Sequence, residues 1–365
     1  MYELIVLIAG LSALFLVPPT GRNNKNNLYG ITVFFLWVII FITIAFRGET
    51  VGADTTNYIN KYLVIKDSAS YADYGGVAFG EPLFYYLNKL LSVFFGTNAQ
   101  CIIVFEAIVV VVTYAQAFRR YSINEPITIL GFLSLGLFAT SLCLVRQFIA
   151  MSVCVFSLRY VINRNIWKFV ICVIIASLIH YTAVFWIVVY FACNAFAKNN
   201  TLKIILYLLF GVVGYLSVDV FQEAASGVFD RWSNYSEIES NAAGYISFTI
   251  FALITLMVFM YRKPIISTYP YANVMMNINY LNMILWAMRL VTRNTERISF
   301  YFTIAPILLI PVLYHVISKK HGNVAGGVFQ IIVVVCMVAL YWVKITKDKS
   351  IYPFEFMNFN TLLRF

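Results

Sequence analysis

Apolar windows of about 20 residues recur along this chain from Leu4 to Val343, and they constrain its fold more than any other feature. Inside hydrocarbon every backbone N–H and C=O must find its partner within the protein, so a segment of this length crosses as a helix. With 61% hydrophobic and only 12% charged residues, no soluble domain could bury this much apolar surface. The chain therefore reads as an all-α polytopic membrane protein. Its net charge of +10 does not imply nucleic acid, because Lys and Arg fall in short clusters between the windows, where they set topology. The six cysteines are isolated, lie mostly inside apolar windows and form no C-x-x-C pair. They read as small core residues, neither a disulfide framework nor a metal site.

The basic clusters order the spans. Leu4–Val17 has neither a basic leader nor a small-residue cleavage site, so it reads as an uncleaved span. Gly21–Asn27 carries cations and no anion, which puts it in the cytoplasm and the N-terminus outside. Leu28–Ala45 returns outward to an extracytoplasmic loop at about 46–98. Within that loop Glu81-Pro82 opens a helix running to Phe95 with Lys89 in its middle. A full crossing there would leave Arg119-Arg120 outside, so this helix is expected to be interfacial or re-entrant. Ala99–Phe118 goes in, Ile127–Leu142 out, and Gln147–Tyr160 back. Ile166–Phe196 is too long for one span and is expected to be two short helices meeting outside at His180. Leu202–Val218 leads to a second extracytoplasmic loop at about 219–243. Tyr245–Tyr261, Val274–Leu290, Ile298–Val316 and Val324–Val343 follow. The expectation is a single transmembrane domain over residues 1–365 with about twelve spans and both termini outside. Lys344, Lys347 and Lys349 then lie outside, against the usual charge bias.

Arg146-Gln147 interrupts the apolar run from Ile127 to Tyr160. An arginine at mid-span costs roughly 2.5–3.5 kcal/mol, so it persists where it meets water, a counter-charge or an anionic ligand. The plainer alternative is a helix end from which Arg146 snorkels to the headgroups. The topology adds Arg47, His180 and the series Arg289, Arg293, Arg297 to the same outer side. On one continuous helix the i, i+4, i+8 spacing would align those three guanidinium groups on one face. Such a face calls for an anion, and Glu296 is the one carboxylate nearby in sequence. Either Arg293 pairs with Glu296 while the others snorkel, or the face binds a ligand. Arginine forks match phosphate oxygens.

Five segments carry a resemblance to a known family. They are Arg47 followed by Gly52-Ala-Asp54-Thr-Thr-Asn-Tyr58, Glu81-Pro-Leu-Phe-Tyr-Tyr-Leu-Asn-Lys89, Val145-Arg-Gln-Phe-Ile-Ala150, Ile179-His-Tyr-Thr-Ala183 and Arg297-Ile-Ser-Phe-Tyr301. In this order and spacing the chain resembles the EpsG family of Wzy-type polysaccharide polymerases over nearly its whole length. The resemblance implies a membrane-embedded glycosyltransferase related to the type C class, in the bacterial cytoplasmic membrane with its active site facing outward. Such an enzyme moves a growing glycan from undecaprenyl pyrophosphate onto the end sugar of another lipid-linked repeat unit. The implied partners are the lipid-linked oligosaccharide donor and acceptor, membrane lipid, a chain-length regulator and a flippase.

Glycosyl transfer needs charge stabilisation at the departing pyrophosphate and a base near the acceptor hydroxyl. No Asp-x-Asp metal motif is present, and arginine can do the first task without a metal, so neither a cofactor nor a metal is expected. The expected pyrophosphate ligands are Arg146, Arg293 and Arg297, supported by Arg289 and Arg47. His180 is the candidate base, although a lone histidine in an apolar run can equally be a core residue. Asp54 and Glu81 are its carboxylate rivals, and each could instead serve its local turn or helix N-terminus. Gln147, Tyr58 and Tyr301 are candidate sugar ligands, with interfacial anchoring the alternative for the tyrosines. An O-antigen ligase, a lipid-linked oligosaccharide flippase and a non-catalytic export scaffold are the competing readings. No P-loop, H-E-x-x-H, G-x-S-x-G or G-x-G-x-x-G occurs in a suitable context.

Overall fold

The computed structural model describes residues 1–16, 27–74, 81–195, 205, 207–212, 242–290 and 295–358. Within these it is helical, with a lone antiparallel bridge between Arg47 and Phe356. Its helices are α1 (Tyr2–Phe15), α2 (Asn27–Ala45), α3 (Thr55–Asp67), α4 (Pro82–Phe95), α5 (Gln100–Tyr121), α6 (Glu125–Ser134), α7 (Leu137–Ser141), α8 (Val145–Ile162) and α9 (Ile166–Ile179). A 3-10 segment (Tyr181–Ile187), α10 (Val188–Tyr190) and a π-turn (Phe191–Ala195) follow. The rest are α11 (Ala242–Met260), α12 (Arg262–Thr268), α13 (Ala272–Met288), α14 (Thr295–Phe302), α15 (Ile304–His321) and α16 (Asn323–Lys347).

By length and composition α2, α5, α8 and α16 can each cross a membrane. The number rises to six if the pairs α11–α12, bent by 74°, and α14–α15, bent by 47°, each make one span. The shorter apolar helices include α1, α6 and α9. The expected span Leu202–Val218 lies largely outside the described residues, and the loop at 219–243 almost wholly so. Where one span was expected over Ile127–Leu142, α6 and α7 are separate, because Gly136 takes a left-handed φ of 99° that only glycine adopts cheaply.

The chain divides into two compact units, Met1–Phe156 with Ile171–Val184 and Ile317–Phe365, and Ser157–Val170 with Phe185–Val316. In the first, α1 packs on α2, α6 and α16, and α5 packs on α2, α4 and α6. Its fully buried aromatic residues include Tyr114, Phe118, Phe132 and Phe148. The C-terminal tail docks at one end of this unit. Gly48 N donates to Glu355 O at 2.8 Å, Met357 N to Phe46 O at 2.9 Å and Gly52 N to Ser350 O at 2.6 Å. Tyr2 Oη donates to Ile351 O at the same end. The N-terminus, the chain after α2 and the end of α16, with Lys344, Lys347 and the following Lys349, thus gather together.

In the second unit α13 packs on α11 and α14. Asn279 Nδ2 donates to Thr255 Oγ1 at 3.0 Å and Thr303 Oγ1 donates to Asn282 Oδ1 at 3.3 Å, polar ties between helices otherwise held by apolar contact.

A carboxylate between a guanidinium and an imidazole: the candidate active site

The site lies in the first unit, where α3, the start of α4, the start of α8 and the end of α9 converge. Pro82 at the first turn of α4 suits a helix start and leaves Glu81 as its N-cap. Asn88 and the rings of Phe84 and Tyr85 face inward, whereas Tyr86, Leu90, Val93 and Phe94 form an exposed apolar face. A 14-residue helix with this division suits an interface rather than a crossing. Lys89 turns the other way and donates to Ile65 O, Lys66 O and Ser68 O at 3.3, 2.8 and 2.6 Å, capping the carbonyls at the end of α3.

Glu81 is the centre of the site. Its Oε2 accepts from Arg146 Nη1 and its Oε1 pairs with His180 Nδ1. The carboxylate side chain is only 8% exposed, while Arg146 is 29% exposed and His180 10%. Burial pushes the Glu81 carboxyl up, but His180 and then Arg146 outweigh it and hold the group below its ordinary value of 4.5. An ionised carboxylate only accepts, so Nδ1 carries a hydrogen, and whenever the ring is neutral its lone pair is on Nε2.

Arg146 sits in the first turn of α8, the positive end of the helix dipole, where a cation is disfavoured and an anion favoured. Its guanidinium carbon lies 5.7 Å from the ring centres of both Tyr58 and Phe84. Its Nε–H has no hydrogen-bond partner among the described residues. The Tyr58 hydroxyl is raised by burial and lowered in part by Arg146, with Asp54 and Glu81 acting in the raising direction. Tyr74 feels the same pair, since after burial Arg146 and Glu81 have the largest effects on it. Asp54, the N-cap of α3, is partly exposed and accepts from Asn57 Nδ2 at 3.3 Å, so it stands at the rim.

Arg47 lies elsewhere at this end. It is fully buried, with Nη2 on Glu106 Oε2 at 3.1 Å, Nη1 on Ile44 O at 2.7 Å and Nε on Thr55 Oγ1 at 3.3 Å. Its guanidinium is engaged on every nitrogen and ties α2 to α5 and α3. Gln147 points inward, 2% exposed, with Nε2 3.8 Å from Met151 Sδ. The remaining candidates belong to the second unit. Arg289 caps α13, donates from Nε to Glu296 Oε2 at 2.7 Å, and lies against the bare backbone of Gly244. Arg297 is in the first turn of α14 and Tyr301 is buried further along it. Arg293 lies outside the described residues. Arg289 and Arg297 therefore stand on different elements, and Glu296 pairs with Arg289.

Three residues at or beside the site escaped the sequence reading. Glu106 is signalled as a lone acid in the apolar run of α5, the natural partner for a buried arginine. Phe84 and Lys61 carry no such flag, although Lys61 falls three residues after Tyr58 on one face of α3 and its Nζ lies 5.9 Å from that ring's centre. Among the described residues no three His, Cys, Asp or Glu side chains gather as a metal-binding group.

Comparison with known proteins adds the family. No curated protein and no solved structure matches this chain. The model of the EpsG family matches residues 30–356, a stretch that includes Glu81, Arg146 and His180. Nearly the whole chain is covered by that match, and the protein belongs to the EpsG family.

Proposed function

We propose that this chain polymerises undecaprenyl-pyrophosphate-linked oligosaccharide repeat units on the outer face of the bacterial cytoplasmic membrane. Family membership carries a polysaccharide polymerase-like role; the observation that supports the finer reading is Glu81 bridging Arg146 and His180. In this reading His180 Nε2 takes the proton of the acceptor hydroxyl as its oxygen bonds to the anomeric carbon of the donor glycan. Glu81 keeps the imidazole in the required tautomer and stabilises the imidazolium that forms, so it is a positioning residue. The bond from the anomeric carbon to the pyrophosphate breaks and its electron pair stays on the terminal phosphate. Arg146 and the N-terminal amides of α8 meet the charge that develops there. The exposed face of α4 rests on lipid and keeps the centre at headgroup depth, where a polyprenyl carrier presents its head.

Purified protein given a lipid-linked repeat unit should produce a ladder of longer glycans without nucleotide and in the presence of chelator. Arg146→Ala should cut kcat/KM by about 10²–10³-fold, the scale of a lost charge-stabilising donor. Loss of the ladder on chelation, or an undiminished ladder in Arg146→Ala, would overturn the mechanism. Lipid translocation without lengthening would mark a flippase, and transfer only to a non-repeat acceptor a ligase.

A further inference from the structure

Arg146 and Glu81 carry opposite charges and cancel, so the pair alone offers a diphosphate little net attraction. Each phosphate of a glycan-carrying diphosphate bears one negative charge, and bond cleavage adds another to the terminal phosphate. One further cation is at hand. Lys61 Nζ lies 5.9 Å from the Tyr58 ring centre and the Arg146 guanidinium 5.7 Å from the same centre, so both charges neighbour a single side chain. Lys61 is partly exposed, on a stem long enough to swing toward a ligand. Its charge also reaches Glu81, since it is among the groups that hold that carboxyl down. Asp54 touches the same neighbourhood but is partly exposed and bonded to Asn57, so water weakens its opposition.

We propose that Lys61 is the second cation of a two-point clamp, Arg146 taking the terminal phosphate and Lys61 the phosphate on the polyprenyl side, which makes the site selective for diphosphate over monophosphate. The inference rests on the diphosphate reading of Arg146 above. The two cations differ in the way the chemistry needs. Arg146 adjoins Glu81 and His180, beside the bond that breaks, and its planar fork suits a phosphate whose charge is growing. Lys61 stands one helical turn along α3 from Tyr58 and meets a phosphate whose charge does not change. It therefore contributes to binding more than to turnover.

The test uses inorganic pyrophosphate and inorganic orthophosphate as probes, titrated calorimetrically into the full chain in lipid nanodiscs at fixed ionic strength. The wild type should bind pyrophosphate about tenfold tighter than orthophosphate, the ratio of one added charge-assisted contact. Lys61→Ala should abolish that preference and leave orthophosphate within about twofold, with Lys61→Arg restoring it. In the ladder assay the same alanine should raise KM for the lipid-linked donor with kcat nearly unchanged. Equal weakening of both anions in Lys61→Ala, or a preference that survives it, overturns the clamp while leaving Arg146 in place. Failure of the wild type to bind either anion overturns the diphosphate reading itself.

Discussion

A buried carboxylate held between a guanidinium and an imidazole makes the first unit sensitive to acid. Burial raises the Glu81 carboxyl while His180 and Arg146 lower it further, so its folded pKa lies below 4.5 and the fold favours the ionised form. A depressed folded pKa means the contribution is complete above the ordinary carboxylate range and is lost as pH falls through the lowered value. Thermal unfolding in detergent should therefore show Tm falling below about pH 4.5, with a shallower fall in Glu81→Gln. An identical acid limb in the two proteins would remove Glu81 as its source. Gly52 is the other residue with a sharp expectation. At φ of 95° a Cβ there would stand 1.8 Å from Leu142 O, so the backbone of two segments would have to part. Gly52→Ala should cost on the order of 3 kcal/mol and should open the turn that sets Asp54 and Thr55 at the head of α3. The glycine of the Gly-Ala-Asp pattern is thus explained by close packing against Leu142, independently of any chemistry at Asp54.

Among the elements, α3 and α4 decide whether the site exists, because α3 supplies Tyr58 and α4 supplies Phe84 with Glu81 at its head. Lys89 joins them by three backbone carbonyls, and Tyr62 Oη adds a bond to Gly96 O at 3.0 Å. Lys89→Met keeps the stem's apolar contacts and removes the cap. It should leave Lys66 O and Ser68 O without that donor, Ile65 O still accepting from Ser68 Oγ at 2.7 Å, and destabilise the end of α3 by about 1–3 kcal/mol. Hydrogen exchange of the α3 amides would read this directly as faster exchange over residues 60–67, with α5 unchanged. Uniform exchange in variant and wild type would show that Lys89 is dispensable to the cap. Of the two, α4 was legible in the sequence, since Pro82 and an apolar run mark its start and extent, whereas α3 lies in a polar segment that was expected to be loop. The site's central pairing was not legible. Glu81 and His180 are separated by 99 positions and Glu81 and Arg146 by 65, and no local pattern encodes a contact at that range. Arg47 shows the converse: it was expected among the pyrophosphate ligands because Glu106, its buried partner, is 59 residues away in an apolar span.

At the scale of the whole molecule, charge clusters said which segments share a side, and in the first unit those segments gather at one end. The positive-inside rule left Lys344, Lys347 and Lys349 in conflict with that side. The tail after α16 pairs with the chain after α2 through Gly48, Gly52 and Met357, hydrogen bonds that a lysine count cannot foresee. This docking ties the end of α16 to the end that holds Glu81 and Arg146, whichever side of the membrane it faces. α16 is 25 residues long, about 37 Å of helix, more than the hydrocarbon thickness, so His321 just before it belongs at the opposite end. Single cysteines in a cysteine-free background at Asn57, Glu355 and His321, all exposed, convert this into a measurement. In intact cells a membrane-impermeant maleimide should label Asn57→Cys and Glu355→Cys together and reach His321→Cys only after lysis. Labelling at positions 57 and 355 only after lysis, with 321 reactive in intact cells, would invert the proposed orientation while leaving the geometry of the candidate site intact. Labelling of 57 and 355 from opposite sides would break the tail docking, and with it the end of the unit on which the candidate site is built.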